Sequence, residues 1–508
     1  MTTIKDFGKI FRSNPTLQEL CRRVTEGGRR RHIALDGLNA SAVSLATAAL
    51  FDEKCCNNIL VIADDADKAG YLYFDLTQLI GSDRVAFFPA LYKHIHKSGA
   101  TIAENGILRT DSLNKISDGK PCIIVSYPDA ISEKVVAADR FASARIALTK
   151  GQEYAMSTLL DDLRNSGFDE VDFVYEVGQY SQRGSIVDVF SYSNELPYRI
   201  DFFGDTVESI RTFDIERQLS IEEVDRLAVV AATDSEEQGK VSLLEFVAPD
   251  TLIVANDIDY CIKRIDQIYS QALVKANEQR QTSDLYSSLI DGEGFRQQLE
   301  EFFTVEVLRN YYKADTLGFA TLLQPNFNKN FDLISKNIKQ YLADGYRIYI
   351  ASDSKKQIDR ITSIFDDRGD DISFEAVDKT LHEGFVDNDL KVCFFTDHQI
   401  FDRFHRFSLK SDTARRGKAA MLIKELNSLK PGDFVVHHDH GVGQFAGLLT
   451  TNINGKPQEV IKLIYKGGDI IFVNISSLHK ISKYRGKEGV DPMLSKLGTA
   501  SKNVQKPR

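Results

Sequence analysis

Residues 32–51, HIALDGLNASAVSLATAALF, pass from a short apolar run through a turn into an alanine-rich stretch, the pattern of a buried strand, a loop and a helix. The loop Gly37-Leu38-Asn39-Ala40-Ser41-Ala42-Val43-Ser44 fills the frame of the phosphate loop G-x-x-x-x-G-K-[ST]. It keeps the first glycine and the closing hydroxyl, Ser44. Ala42 stands where the second glycine belongs, and Val43 where the lysine belongs. A working loop needs that glycine so that backbone N–H groups can wrap the phosphates, and the lysine to reach their outer oxygens. The stretch predicts a phosphate-loop α/β domain whose nucleotide site has lost its chemistry.

Outward from this loop, residues 1–145 alternate helical stretches with apolar strands at Ile33 to Leu35, Ile59 to Ala63, Val85 to Phe88 and Cys122 to Ser126, which predicts a mostly parallel sheet. Over 146–230 the period changes to two, with strands at Gly184 to Phe190, Tyr198 to Phe203 and Thr206 to Arg211, the last two joined by Gly204-Asp205. An antiparallel domain is inserted there. Residues 231–326 resume the first pattern, so the first domain is expected to be discontinuous. A further α/β unit of unknown role follows at 327–404, with strands at Arg347 to Ala351 and Lys391 to Phe395. A basic linker at 405–430 carries Lys410, Arg415, Arg416 and Lys418. Residues 431–484 read as a small β-barrel: strand Asp433 to His438, loop His440 to Gly443, strand Phe445 to Thr451, turn Asn454-Gly455, strand Glu459 to Tyr465, turn Gly467-Gly468 and strand Ile470 to Asn474. A tail at 485–508 has no apolar anchor and looks cut.

The 508 residues suit three or four cores rather than one. No apolar run approaches the ~20 residues of a membrane span, and the N-terminus lacks the regions of a signal peptide, so a cytoplasmic location is expected. The six cysteines form no C-x-x-C pair and are expected as reduced thiols, without a metal. His437-His438-Asp439-His440 invites a metal reading, but successive strand residues point to opposite faces and converge poorly on one ion. A net charge of −10 argues against a chain that coats nucleic acid with its whole surface. No nucleophile with a partnered base stands out, and no catalytic residue is assigned.

In Tyr198-Arg199-Ile200-Asp201-Phe202-Phe203 the alternation sends Tyr198, Ile200 and Phe202 to one face and Arg199, Asp201 and Phe203 to the other. Antiparallel pairing of Phe190 near Tyr198 would bring the neighbourhood of Arg183 close to Phe203, within two positions. An exposed aromatic beside two arginines suits either a solvated sheet face or a protein-docking patch.

Three segments together resemble one family. Val177 to Phe190, continuing through Leu196-Pro197-Tyr198-Arg199-Ile200-Asp201-Phe202-Phe203-Gly204-Asp205 to Ser209-Ile210-Arg211, is similar to the domain shared by the excision-repair protein UvrB and the bacterial transcription-repair coupling factors. Pro431 to Tyr484, with Val435-Val436-His437 and His440-Gly441-Val442-Gly443, resembles the CarD-type domain that binds RNA polymerase. Asn256-Asp257-Ile258-Asp259 resembles the acidic motif of UvrB, with Asn256 in place of the metal-binding aspartate. The resemblance implies a helicase-like fold for the degenerate domain, with Gly37, Ala42, Val43, Ser44, Asn256 and Asp257 as the remains of its nucleotide site. It implies a Tudor- or SH3-like barrel at the C-terminal end. As partners it implies UvrA, docked by Arg183, Arg199 and Phe203, and the RNA polymerase β subunit, docked by a strand edge at Leu448, Leu449, Thr450, Thr451 and Asn452. In the full-length family an ATP- and Mg²⁺-dependent motor translocates on double-stranded DNA and displaces stalled polymerase. That motor is missing here, so the segment is expected to need no cofactor and to have no ATPase. The alternatives are a UvrB-like damage-binding ATPase, which would need the lysine that Val43 replaces, and a stand-alone CarD-like transcription regulator, which would leave some 430 residues unexplained.

Overall fold

The computed structural model describes residues 2–27, 31–91, 99–143, 145–192, 196–215, 218–230, 239–279, 288–308, 315–403, 431–437, 440–453, 456–474, 481–483 and 494. The expected linker and nearly all of the expected tail lie outside them. Two compact units divide the chain, 1–144 with 232–409 and 145–231 with 410–508.

The first unit is built on a seven-stranded sheet in the order Thr316–Gly318, His32–Asp36, Phe303–Leu308, Leu252–Asn256, Ile59–Ile62, Ile123–Ser126, Val85–Phe87, with every neighbour parallel. Leu252–Asn256 pairs directly with Ile59–Ile62, so strands from both sides of the insertion share one sheet. Ile59, Leu60, Val61 and Ile62 are all buried, as strands covered on both faces require. The helix Ala42–Asp52 lies almost wholly inside, and its alanines let it do so without crowding. Among the described residues, no helix is long and apolar enough to cross a membrane.

A five-stranded mixed sheet stands beside it, in the order Thr321–Leu323, Phe385–Asp387, Val392–Thr396, Arg347–Ala351, Glu375–Val377. The chain's first residues belong here. Thr2 bridges Val377, and Phe7 of the helix Ile4–Phe11 packs its ring 4.6 Å from Phe394 and 5.0 Å from Tyr349.

The insertion is a six-stranded sheet, in the order Ser220–Glu223, Thr206–Phe213, Tyr198–Phe203, Ile186–Val189, Gln179–Arg183, Asp169–Glu170. The helix Met156–Asn165 covers one face, where Leu159 and Leu163 meet Tyr180, Val187, Val189, Ile200 and Phe202. The alternation expected for Tyr198–Phe203 holds, with Ile200 and Phe202 in that core and Phe203 outside. The expected approach of Arg183's neighbourhood to Phe203 is met at Ser185, whose carbonyl accepts from the Phe202 N–H at 2.9 Å, while Arg183 itself lies on the next strand. Tyr198 pairs with Val189 and Asp201 with Ile186, but Arg183 pairs with Ile186 from the next strand. Gly184 (φ +62°) and Ser185 close a two-residue hairpin there, a conformation glycine adopts without a Cβ penalty. Arg183 and Phe203 therefore stand on strands separated by Ile186–Val189.

The C-terminal residues form a five-stranded antiparallel sheet, in the order Ile470–Asn474, Lys456–Ile464, Gly441–Ile453, Phe434–His437, Ile481–Lys483. Among the described residues no pairing joins its first strand to its last, and they do not close the expected barrel. The stretch His440 to Gly443, expected as a loop, is largely strand, since Gly441–Gln444 pair with Phe434–His437. Its glycine serves packing instead: a Cβ on Gly443 would lie 2.9 Å from the buried Tyr465 ring. Of the four residues with ligand-like side chains, His438 and Asp439 lie outside the described residues. The turn at Gly467-Gly468 is present, with both residues at positive φ. The expected turn residues Asn454 and Gly455 lie outside the described residues, between Ile453 and its partner Lys456.

Candidate functional sites: a sealed phosphate loop and two docking surfaces

The phosphate loop connects His32–Asp36 to the helix Ala42–Asp52, at the carboxyl edge of the parallel sheet where α/β proteins place their ligands. Phosphate binding uses free amides at the helix N-terminus. Here three of them are taken. The N–H groups of Ser41, Ala42 and Val43 donate to the carbonyls of Glu383, Asn39 and Ala40, and the N–H of Asn39 donates to the Thr321 hydroxyl. Gly37 (φ +71°) passes so close to the chain that a Cβ would sit 2.1 Å from the Phe319 carbonyl oxygen. The Thr321 hydroxyl donates back to the Gly37 carbonyl at 2.7 Å.

A carboxylate from the protein itself stands next to this loop. Asp75, on the helix Ala66–Ile80, is fully buried and accepts from the hydroxyls of Ser41 (2.6 Å) and Ser44 (3.1 Å) and from the N–H of His382 (2.7 Å). Ser44 is the residue whose hydroxyl would hold Mg²⁺ in a working loop. The segment His382-Glu383 reaches in from the five-stranded sheet's side; Glu383 N–H donates to Ser41 Oγ, and the His382 ring stacks on Tyr71 with centroids 3.4 Å apart. Burial pushes the Asp75 carboxyl up to about 7, against the three hydrogen bonds that favour its charged form.

The second half of the expected nucleotide site ends the strand Leu252–Asn256, separated from the phosphate-loop strand by Phe303–Leu308. Asn256 is half-buried. Asp257 caps the helix Ile258–Gln279 by accepting from the Tyr260 N–H at 2.9 Å. The buried Glu306 takes the Ile258 N–H and pairs with His32. These carboxylates are committed to helix capping and an ion pair.

On the insertion, Arg183 and Arg199 do meet, through a residue the sequence reading passed over. Asp188 sits in the strand between theirs, directly opposite Arg199 and fully buried. Arg199 grips it as a fork, Nε to Oδ1 at 2.8 Å and Nη2 to Oδ2 at 2.9 Å, and Arg183 Nη2 binds the same Oδ2. Arg199 also donates through Nη1 to the Gln218 carbonyl (3.2 Å) and lies over the Phe213 ring at 4.7 Å. Arg183 lies over Phe173 at 4.8 Å. Phe203, at the end of its strand, is 79% exposed. The signal for Asp188 was present: an acidic residue between two core valines, on the face shared with an arginine of the neighbouring strand.

On the C-terminal sheet, Leu448, Leu449, Thr450, Thr451 and Asn452 pair on one side with Ile461, Val460, Glu459, Gln458 and Pro457. On the other side Phe434–His437 covers only Gly441–Gln444, and the backbone bonds of Phe445 with Gly432 and Asp433 extend that cover by one residue. Past a bulge between Phe445 and Leu448, this edge of the strand faces no described strand. Leu449 is 45% exposed there.

Residues 146–234 match the family described as the UvrB interaction domain, and residues 429–485 match the CarD-like/TRCF RID domain. The chain is also similar to the transcription-repair-coupling factors of Bacillus subtilis (strain 168), at 21% identity over 93% of this chain and 47% of that protein, and of Staphylococcus haemolyticus, at 22% over 92% and 46%. The factor of Staphylococcus aureus (strain bovine RF122 / ET3-1) matches at 22% over 87% and 44%. The chain spans a little under half the length of the curated relatives it matches.

Proposed function

We propose that this chain is an adaptor of transcription-coupled DNA repair, holding a stalled RNA polymerase with one surface and the excision-repair protein UvrA with another. The observation that carries the reading is the presence, in one chain, of a UvrB interaction domain followed by a CarD-like/TRCF RID domain. UvrA docks on the insertion at Phe203 and the arginine pair, since aromatic and arginine side chains most often anchor interfaces. The polymerase β subunit adds a strand to the open edge at Leu448–Asn452 of the C-terminal sheet, taken as a small SH3-like barrel. Edge addition draws affinity from backbone hydrogen bonds and specificity from alternate side chains. The phosphate loop takes no part, because the amides of Ser41, Ala42 and Val43 are already bonded and its serines already face a carboxylate. This favours the adaptor over a UvrB-like ATPase. The ATP- and Mg²⁺-dependent translocation on double-stranded DNA that the resemblance implies for the family is assigned to no residue of this chain. A cytoplasmic site of action goes with this reading.

Capture with purified UvrA and purified β subunit tests this. The chain is expected to hold both at once. Leu449→Arg or Thr451→Arg should release the β subunit alone, and Phe203→Ala should release UvrA alone. A chain that binds neither partner, or variants that lose both together, would refute the adaptor.

A further inference from the structure

We infer that Asp188 is a positioning residue for the UvrA-docking face: it fixes two arginine forks, so that Arg183 is offered to the partner while Arg199 is held within the sheet. The inference rests on the reading that UvrA docks here, and it divides labour among residues which that reading treats alike.

The two arginines differ in what they have left to give. Each of Arg199's three nitrogens already donates, two to Asp188 and one to the Gln218 carbonyl, and one face of the guanidinium is covered by Phe213. Its side chain is only 15% exposed. Arg183 gives Asp188 a single nitrogen, Nη2, and is 37% exposed. Among the described residues its Nε and Nη1 have no hydrogen-bond partner. A guanidinium restrained at one corner, with Phe173 against its face, keeps donors for a planar acceptor and loses little freedom when it is bound.

The placement of Asp188 makes this arrangement depend on it. It is the central member of the aligned positions Ser181, Asp188 and Arg199 on three adjacent strands, and no part of it meets solvent. One carboxylate between two guanidiniums leaves the patch one positive charge in excess. The nearby Arg211–Asp201 pair, 3.5 Å apart, adds none. With Phe203 exposed on the strand that carries Arg199, the surface fits a partner presenting a carboxylate beside an apolar pocket.

The test compares lysine replacements, which keep charge and discard the fork. With purified UvrA, Arg183→Lys should weaken binding about tenfold, as expected for a lost bidentate contact. Arg199→Lys, still able to neutralise Asp188, should stay within about threefold of wild type. Asp188→Asn, which keeps the side chain's shape, should weaken binding about tenfold, and should add nothing to Arg183→Ala if it acts through that arginine. Phe203→Ala should remain additive to both. If Arg199→Lys is as damaging as Arg183→Lys, or if Asp188→Asn still weakens an Arg183→Ala chain tenfold, the division of labour is overturned. Should Asp188→Asn not fold, the lysine pair decides alone. Loss of UvrA binding on Phe203→Ala together with wild-type binding by Arg183→Lys keeps the docking reading and overturns this inference. A wild-type chain that ignores UvrA overturns both.

Discussion

Two buried aspartates organise this chain, and they do opposite things. Asp75 lies among hydroxyls and an amide with no cation bonded to it among the described residues, and the result is a loop whose serines are engaged by the protein's own carboxylate. Asp188 lies between two guanidiniums, and the result is a face with donors and an aromatic ring turned outward. The residue type and the degree of burial are the same. What differs is the counter-charge, and that decides whether a carboxylate finishes a structure or prepares a surface.

The largest expected effect tests the Asp75 half of the contrast. In the unfolded chain its carboxyl ionises near 3.8, whereas the folded chain holds the proton until about 7. Between those values the folded state carries a proton the unfolded state has lost, so stability should fall as pH rises and level off above 7. For this group the loss is at most about 4 kcal/mol. Urea unfolding of wild type and Asp75→Asn from pH 4 to 8 should give curves that diverge across this window. Parallel curves would mean that Asp75 ionises as an ordinary carboxylate. The second test concerns Asp188. Asp188→Ala strands the Arg199 fork in a nearly closed site and should cost roughly 3 kcal/mol, the lower end for breaking a buried pair because Arg183 keeps some solvent. The same urea series at pH 7 measures it. A cost below about 1 kcal/mol would place the triad with ordinary surface ion pairs.

The difference between the regions also explains what the sequence disclosed. The loop's departure from the phosphate-binding pattern was legible at Ala42 and Val43, because a missing lysine and a missing glycine are local facts. Its closure was not. Asp75, Thr321 and the His382-Glu383 segment come from 31 or more positions away, and only the tertiary fold brings them to Ser41 and Ser44. The face Arg199, Asp201, Phe203 was legible from period-two alternation. The place of Arg183 was not, since a hairpin at Gly184-Ser185 moves it one strand further than a single long strand would. In the C-terminal sheet, glycines at 441 and 443 suggested a loop, yet one of them makes room for the ring of Tyr465. A glycine pattern does not distinguish a turn from a close approach.

A third and smaller effect separates docking from stability. Phe203 is mostly in solvent, so Phe203→Ala should leave the urea midpoint unchanged. As an aromatic anchor its truncation should cost about 2 kcal/mol in UvrA binding, about thirtyfold in affinity. Titration by calorimetry measures the affinity. A variant that loses stability and keeps its affinity would make Phe203 a cover for its own sheet rather than a contact.

The smallest expected effect is none. Val43→Lys restores the residue whose absence first marked the phosphate loop as inactive, and on sequence grounds alone it should recover some nucleotide binding. The closed loop predicts otherwise. The amides of Ser41, Ala42 and Val43 would still donate to protein carbonyls, Ser41 and Ser44 would still face Asp75, and Gly37 would still be pressed against Phe319. A lysine supplies one charge, whereas phosphate binding needs several amides converging on the same anion. Titration of Val43→Lys with a fluorescent ATP analogue should therefore be as flat as wild type. Saturable binding in the micromolar range by this single variant would show that the loop opens readily. The plug at Asp75 and His382 would then be a lid rather than part of the core.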